Sequence, residues 1–326
     1  MLRNFIVALC LITWASPIWA LCDGEGYLAR LSDAQRDRLI ALRADIPHGD
    51  GLIWTATRGA DTVTLIGTLH IYDPRLADIM DDLGRTIAAT DILLVEATPR
   101  EEAQMQAALA DDPSQLFLPD GQTLPDLLDD ATWDQLIVAA RDRGIPPFLM
   151  SKFQPWYVMM TLAIPPCAMG DLAAGKRGLD HMIMARADEA GIPKLALEPF
   201  DTLFSVFRTG TVQDQLNMLK ISILTENDQQ AMFVTLLDDY FAGQIGQIFA
   251  LNQIVAERLN VPDAVSLVRR SEQALLFDRN VNWMPIIEAA TDTHDDVVVA
   301  VGAAHLAGTQ GLVALLRRDG WTVTRR

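Results

Sequence analysis

The sequence predicts an α/β fold with a mixed, largely parallel central sheet flanked by helices and a mainly helical insertion in the second half. Three observations lead there. Apolar runs rich in β-branched residues, at 63–66, 92–95 and 297–301, have the length of strands and no polar alternation, as expected for strands covered on both faces. Longer stretches with helical periodicity separate them, and this alternation marks the α/β class. From about 201 to 290 the pattern is almost wholly helical.

The elements follow in order. Residues 1–20 read as a targeting segment: Arg3 supplies the positive start, 5–13 an apolar core, and Ala-Ser-Pro-Ile-Trp-Ala a cleavage end at Ala20. That core is shorter than the roughly 20 apolar residues a membrane span needs. Leu21, not a small residue, precedes Cys22, which argues against lipid attachment there. The expectation is one exported domain, 21–326, periplasmic or secreted, without a membrane span. Residues 32–44 read as an amphipathic helix capped by Ser32, with Leu39, Ile40 and Leu42 apolar. A hairpin follows, 53–57 turning at Arg58-Gly59-Ala60-Asp61 into 62–69.

A helix opens at Asp73-Pro74, with Pro near its first turn, and the next strand runs into Glu96. Helices dominate 101–143, and 146–150 reads as a short strand. An apolar helix opens on Pro155, and Pro165-Pro166-Cys167 breaks the pattern. Gly178-Leu179-Asp180 begins the helix that leads to strand 195–197 and Glu198. In the helical region, Phe204, Phe207, Met218, Met232, Phe233, Tyr240 and Phe241 recur at helical spacing and read as core or groove lining. The chain closes with strand 297–301, a helix over 309–318 and strand 321–324.

The formal charge is −17, and loss of Arg3 with the leading segment makes it one unit more negative. The acidic residues are dispersed, as on solvated faces, and argue against nucleic acid or an anionic membrane as partner. Cys10 leaves with the leading segment, so Cys22 and Cys167 remain. An even pair in an oxidising compartment predicts one disulfide; the alternative is two buried free thiols. Neither cysteine has a second nearby in sequence, which argues against a zinc–thiolate site.

Two runs share one form: Gly67-Thr68-Leu69-His70 and Gly302-Ala303-Ala304-His305. Each follows a buried strand, and in open α/β sheets chemistry collects beyond the carboxyl ends of the strands. The glycine three residues before each histidine permits close approach of backbone or ligand. Glu96 and Glu198 follow two further strands. Four strands thus deliver two imidazoles and two carboxylates to what reads as one edge. Of the five histidines, His48 reads as a loop residue, and His181 and His294 as residues without a role.

These residues resemble the TraB/GumN family, bacterial relatives of the Tiki metalloproteases. The matching pieces are Gly67 to His70, Glu96, Gly178-Leu179-Asp180, Leu197-Glu198, Arg279-Asn280 and Gly302 to Leu306. The resemblance runs from about residue 30 to the C-terminus. Unlike in the Tiki proteins, no membrane anchor is expected in this chain, so their partners and substrates do not carry over. Related folds include an esterase and haem-binding proteins, and fold does not dictate function.

Two neutral imidazoles and a carboxylate suit a divalent metal such as Zn, Mn or Co. Such an ion acidifies bound water and polarises a carbonyl, as amide or ester hydrolysis requires. The expected ligands are His70 and His305, with Glu96 as third ligand or general base. Asp180 and Glu198 are expected to orient a histidine or complete the shell. Arg279 is expected to hold a substrate carboxylate or an oxyanion, with Asn280 donating beside it; the alternative for Arg279 is a surface salt bridge. The leading expectation is an exported, peptidase-like metal hydrolase acting on a peptide or small molecule. The alternatives are a haem- or metal-binding envelope protein without turnover, and a peptide-binding regulator.

Overall fold

A computed structural model describes residues 22–326 other than 120, 209, 224, 225 and 260; the expected targeting segment and Leu21 lie outside the described residues. Six strands form one sheet, β1 (Ile53–Arg58), β2 (Asp61–Thr68), β3 (Ile92–Val95), β4 (Lys194–Ala196), β5 (Asp296–Gly302) and β6 (Thr322–Arg325), in the order β4-β3-β5-β2-β1-β6. The pairs β2–β5, β5–β3 and β3–β4 are parallel, whereas β1 runs antiparallel to β2 and β6. The sheet is therefore mixed and mostly parallel, as the apolar runs predict.

Twelve longer helices flank it: α1 (Asp33–Ala44), α2 (Leu76–Ala89), α3 (Pro99–Asp111), α4 (Asp130–Asp142), α5 (Pro155–Leu162), α6 (Leu179–Ala190), α7 (Val212–Ser222), α8 (Glu226–Phe241), α9 (Ile245–Arg258), α10 (Ala264–Glu272), α11 (Asp278–Thr291) and α12 (Leu312–Arg318). Ser32 caps α1 through a reciprocal box with Gln35, which satisfies amides the first turn leaves free.

Side chains alternate across a strand, and here both faces are dry. Val63, Leu65, Leu94, Val297, Val299 and Val301 pack under Trp283 and Ile287 of α11 and Leu312 and Leu316 of α12. Ile66, Leu93, Val95, Val298 and Ala300 pack under Leu76, Leu83 and Ile87 of α2 and Leu179 and Ile183 of α6. Helices on both faces explain why these strands read as unbroken apolar runs.

One expected element is wrong. Residues 146–150 form no strand; Pro147–Met150 is a single helical turn. Proline at the first helical position fixes φ near the helical value and lacks only an amide proton that would go unbonded there. The turn drops Met150 into the cluster with Leu136, Phe153, Val158 and Leu219, so the apolar run serves helix packing. The helices expected from Asp73-Pro74 and over 309–318 begin a little later, at Leu76 and Leu312.

Cys22 and Cys167 form a disulfide that spans 145 residues, which decides between the two readings of the pair. No helix among the described residues is long and apolar enough to cross a membrane.

Candidate functional site

The carboxyl ends of β2, β5, β3 and β4 lie at one edge, because parallel strands point the same way and helical crossovers return the chain. His70 lies two residues beyond β2, and Glu96 directly follows β3. Glu198 lies two residues beyond β4, and His305 ends the 3₁₀ turn Ala303–His305 that follows β5. Adjacent pairing of β2 with β5, with Thr68 opposite Gly302, brings the two Gly-x-x-His runs side by side. The two glycines differ in use. A Cβ on Gly67 would press on Ala303 at 3.0 Å, whereas one on Gly302 would enter the site itself, 3.2 Å from Nε2 of His70 and 3.4 Å from Oε1 of Glu96.

Arg279 and Asn280 come from the start of α11, immediately after a π-helical turn, Gln273–Phe277. Such turns shift side chains out of the regular helical register and recur at functional sites. Asn280 is fully buried and donates through Nδ2 to the carbonyls of His305 at 3.1 Å and Gln310 at 3.0 Å. Its Oδ1 therefore faces Nδ1 of His305 at 2.7 Å, and that nitrogen must carry the proton. Nε2 of His305 is left as an acceptor, 3.3 Å from Nη1 of Arg279. The ring packs on Trp283 with centroids 4.4 Å apart. Burial holds the His305 pKa down, to about 3; Arg279 and His70 add to this and Glu96 opposes it. His305 is thus a neutral imidazole.

Arg279 is the hub. Nε donates to Oε2 of Glu198 at 2.9 Å, and Nη2 to Oε1 of Glu198 and Oε2 of Glu96, both at 2.6 Å. Nη1 donates to the Leu275 carbonyl at 2.9 Å and faces His305. A guanidinium has five N–H donors, and all five are directed at protein atoms here. The side chain is 7% exposed. Arg279 is therefore an internal cation, not a surface one, and a substrate would have to displace one of these partners to reach it. Arg279 locks Glu96, Glu198 and His305 together. Asn280 likewise has both donors engaged and orients His305. Among the described residues Glu198 forms no ion pair with a histidine; it accepts from Arg279 and from Nε1 of Trp283 at 3.1 Å.

Burial disfavours charge on Glu96, yet its surroundings bring its pKa down to about 2. The pull comes from His305 once it is protonated, from His70, from Arg279 and from the Gly302 amide, which donates to Oε1 at 2.8 Å; near pH 7, with His305 neutral, the last three remain. Oε1 also lies 3.7 Å from Nε2 of His70 and 3.8 Å from Nε2 of His305.

His70 is the open member, with its side chain 58% exposed. Partial burial and Arg279 lower its pKa, but Asp180 and Glu96 outweigh them and raise it to about 9. Oδ2 of Asp180 stands 3.4 Å from Nδ1 of His70 and 3.0 Å from Nδ1 of His181. Oδ1 of Asp180 is buried with no hydrogen-bond partner among the described residues. Nε2 of His181 lies 2.9 Å from Oε1 of Glu102, a charge contact whose angles fall short of a hydrogen bond. The sequence offered no reason to single out His181, because consecutive helical residues face different ways. It shares Asp180 only because both sit in the first turn of α6, against the end of β2. His294 is remote, in contact with Thr293 and the Ala290 carbonyl.

Two imidazoles and a carboxylate form a donor set that suits a divalent ion. Two ligands of a tetrahedral ion with bonds of about 2.0–2.1 Å stand roughly 3.4 Å apart, so the 3.7 and 3.8 Å separations here need to close by a few tenths of an ångström. Among the described residues no three His, Cys, Asp or Glu side chains are already drawn to ligand distance. The three carboxylates of Glu96, Glu198 and Asp180 face two cations, Arg279 and the protonated His70, which leaves one formal negative charge. Any cation placed there would require Nη1 of Arg279 to yield its contact with His305. Curated proteins include no match to this chain. The sequence matches the description TraB/PrgY/gumN family over residues 52–325, which takes in all six strands and every site residue named above. The chain belongs to the TraB/PrgY/gumN family.

Proposed function

We propose that this protein is a divalent-metal-dependent hydrolase that cleaves an amide or ester bond, with His70, Glu96 and His305 holding the ion. The observation that carries this reading is the convergence of Nε2 of His70, Oε1 of Glu96 and the neutral His305 ring on the space beside Gly302. A bound ion would polarise the scissile carbonyl and lower the pKa of water toward ~7. Glu96 acts as ligand, not as general base. A base works best with a pKa near the operating pH, and Arg279 and His70 keep Glu96 ionised far below it. Asn280 keeps the lone pair of His305 on Nε2, facing the site. Asp180 anchors His70 from the opposite ring nitrogen, the arrangement that orients metal-bound histidines.

The openness of His70 supports a substrate that approaches from solvent, such as a peptide. Export to an oxidising compartment belongs to the same proposal, supported by the Cys22–Cys167 disulfide. The test is elemental analysis of protein purified without chelator, followed by assay on a peptide library and ester substrates with Zn, Mn or Co. Expected are about one ion per chain and cleavage that a chelator abolishes and an added ion restores. No bound ion and no cleavage with any of the three would overturn the reading. A Soret band on haem addition, lost in His70→Ala, would support the binding protein instead.

A further inference from the structure

We propose that the helical half of this protein holds a second, separate binding site, a cavity beside α8 that takes a small, largely apolar primary amine, with Asp239 receiving the ammonium and Gln229 an acceptor group at the far end.

The cavity measures about 300 Å³, within the range of small-molecule sites. One wall is a single stripe of α8: Gln229, Met232, Phe233, Leu236 and Asp239 follow each other at helical spacing. Met159 and Leu162 of α5 and Ile248 and Leu251 of α9 close it opposite. The lining between the two ends is mostly apolar, with Thr235, Ser222 and Asn252 as its other polar members; Thr235 Oγ1 already accepts from the Tyr27 amide at 2.7 Å. Ten residues of helix span about 15 Å, so the polar ends are well separated.

Both ends carry an unused hydrogen-bonding atom. Asp239 is 4% exposed; Oδ1 accepts from Nε2 of Gln247 at 2.6 Å, and Oδ2 has no hydrogen-bond partner among the described residues. Gln229 is 8% exposed; its Oε1 accepts from Nη2 of Arg143 at 2.8 Å, which fixes the amide so that Nε2 is left without a hydrogen-bond partner among them. Buried polar atoms are rarely left so, and one beside a cavity indicates what the cavity takes. A carboxylate oxygen asks for a donor, best a cation, and an amide N–H asks for an acceptor. Arg43, whose charge acts on Asp239, is engaged with Asp50, Gln244 and Gln247, and Oδ2 has no hydrogen-bond partner among the described residues. Burial raises the Asp239 pKa to about 6, which leaves it mostly ionised at pH 7.

No residue of this cavity belongs to the site around His70 and His305, so the proposal stands apart from the hydrolase reading. The test is calorimetry on the full mature chain with three probes: 6-aminohexanamide, hexanamide and n-hexylamine. Saturable binding of 6-aminohexanamide, one per chain, is expected, with hexanamide at least tenfold weaker and n-hexylamine intermediate. Asp239→Asn should weaken 6-aminohexanamide at least tenfold, and Leu236→Trp, which fills the cavity, should abolish binding. Should Asp239→Asn fail to fold, the comparison of the three probes on the unaltered protein decides the matter. No saturable binding of any probe, equal binding of hexanamide and 6-aminohexanamide, or undiminished binding by a folded Leu236→Trp variant would overturn the proposal.

Discussion

Asn280 dictates which nitrogen of His305 carries the proton. Its amide is turned by two backbone carbonyls so that Oδ1 accepts from Nδ1 of the ring at 2.7 Å. Asn280→Ala leaves a buried Nδ1–H without a partner, at a cost of about 1–3 kcal/mol. Denaturant unfolding should register that loss. Nitrogen chemical shifts of His305 should show a single tautomer in the parent and a mixture in the variant. A single tautomer in Asn280→Ala would mean that another group sets it.

Metal affinity should rise with pH well above the ordinary histidine range. His70 holds its proton up to about 9 in the metal-free protein, and an incoming ion must displace it. Apparent affinity is expected to increase about tenfold per pH unit between about 6.5 and 8.5, with one proton released. His305, neutral above about 3, contributes no proton there. Calorimetry in buffers of different ionisation enthalpy counts the proton. His70→Ala and His305→Ala should each lose the ion, and Glu96→Gln should weaken it with the fold intact. Retention of the ion by Glu96→Gln with loss of cleavage would make Glu96 a base.

Stability of the metal-free protein should peak near pH 6.5. The raised pKa of His70 means that its charged form stabilises the fold fully below about 6.5, and this is lost as pH climbs to about 9. His305 works in reverse: the unfolded chain takes up a proton below about 6.5 that the fold refuses until about 3, so stability falls on that side. Glu96 adds to the acid loss between its ordinary value and about 2. Thermal melts across pH 4–10 test this, and His70→Gln should flatten the alkaline limb. An unchanged alkaline limb in that variant would assign it elsewhere.

Replacing Arg279 should be among the most destabilising single changes. Arg279→Ala leaves Glu96 and Glu198 buried without their shared cation, a situation that costs about 3–5 kcal/mol. Arg279→Lys should recover little, since a point charge cannot bond both carboxylates and the Leu275 carbonyl as the fork does. Adding Glu198→Gln to Arg279→Ala removes one stranded charge and should restore part of the loss, measured as a double-mutant cycle.

Gly178→Ala should damage the site from outside it. A Cβ there would collide with the Leu69 carbonyl and the His70 backbone. The amide of Leu179 bonds the Leu69 carbonyl at 2.8 Å, so α6 and the end of β2 would have to separate. That moves His70 away from Asp180. Metal affinity is expected to fall at least tenfold with a modest drop in melting temperature. Equal affinity in the variant would show that His70 tolerates the shift.

The strands were legible because burial on both faces leaves a purely apolar signature, as in 297–301, and their carboxyl ends mark where chemistry gathers. That is why His70, Glu96, Glu198 and His305 stand out in the sequence. The run 146–150 misled for the same reason. Apolar residues serve a helix interior as well as a strand, and only the start on Pro147 distinguishes them.

Local sequence thus determined the fold class, the order of most elements and which side chains end the central strands, because these follow from periodicity and short-range sterics. Tertiary structure alone decided what those side chains do. Arg279 and Asn280 look like available donors in sequence; in the fold every donor on both is engaged, by groups up to 183 residues away. His181 looked idle, yet it shares a carboxylate with His70. Hydrogen-bond capacity, protonation state and charge balance are properties of neighbours in space. The contacts that set them join α11, α6 and four strands that meet only when the sheet is assembled.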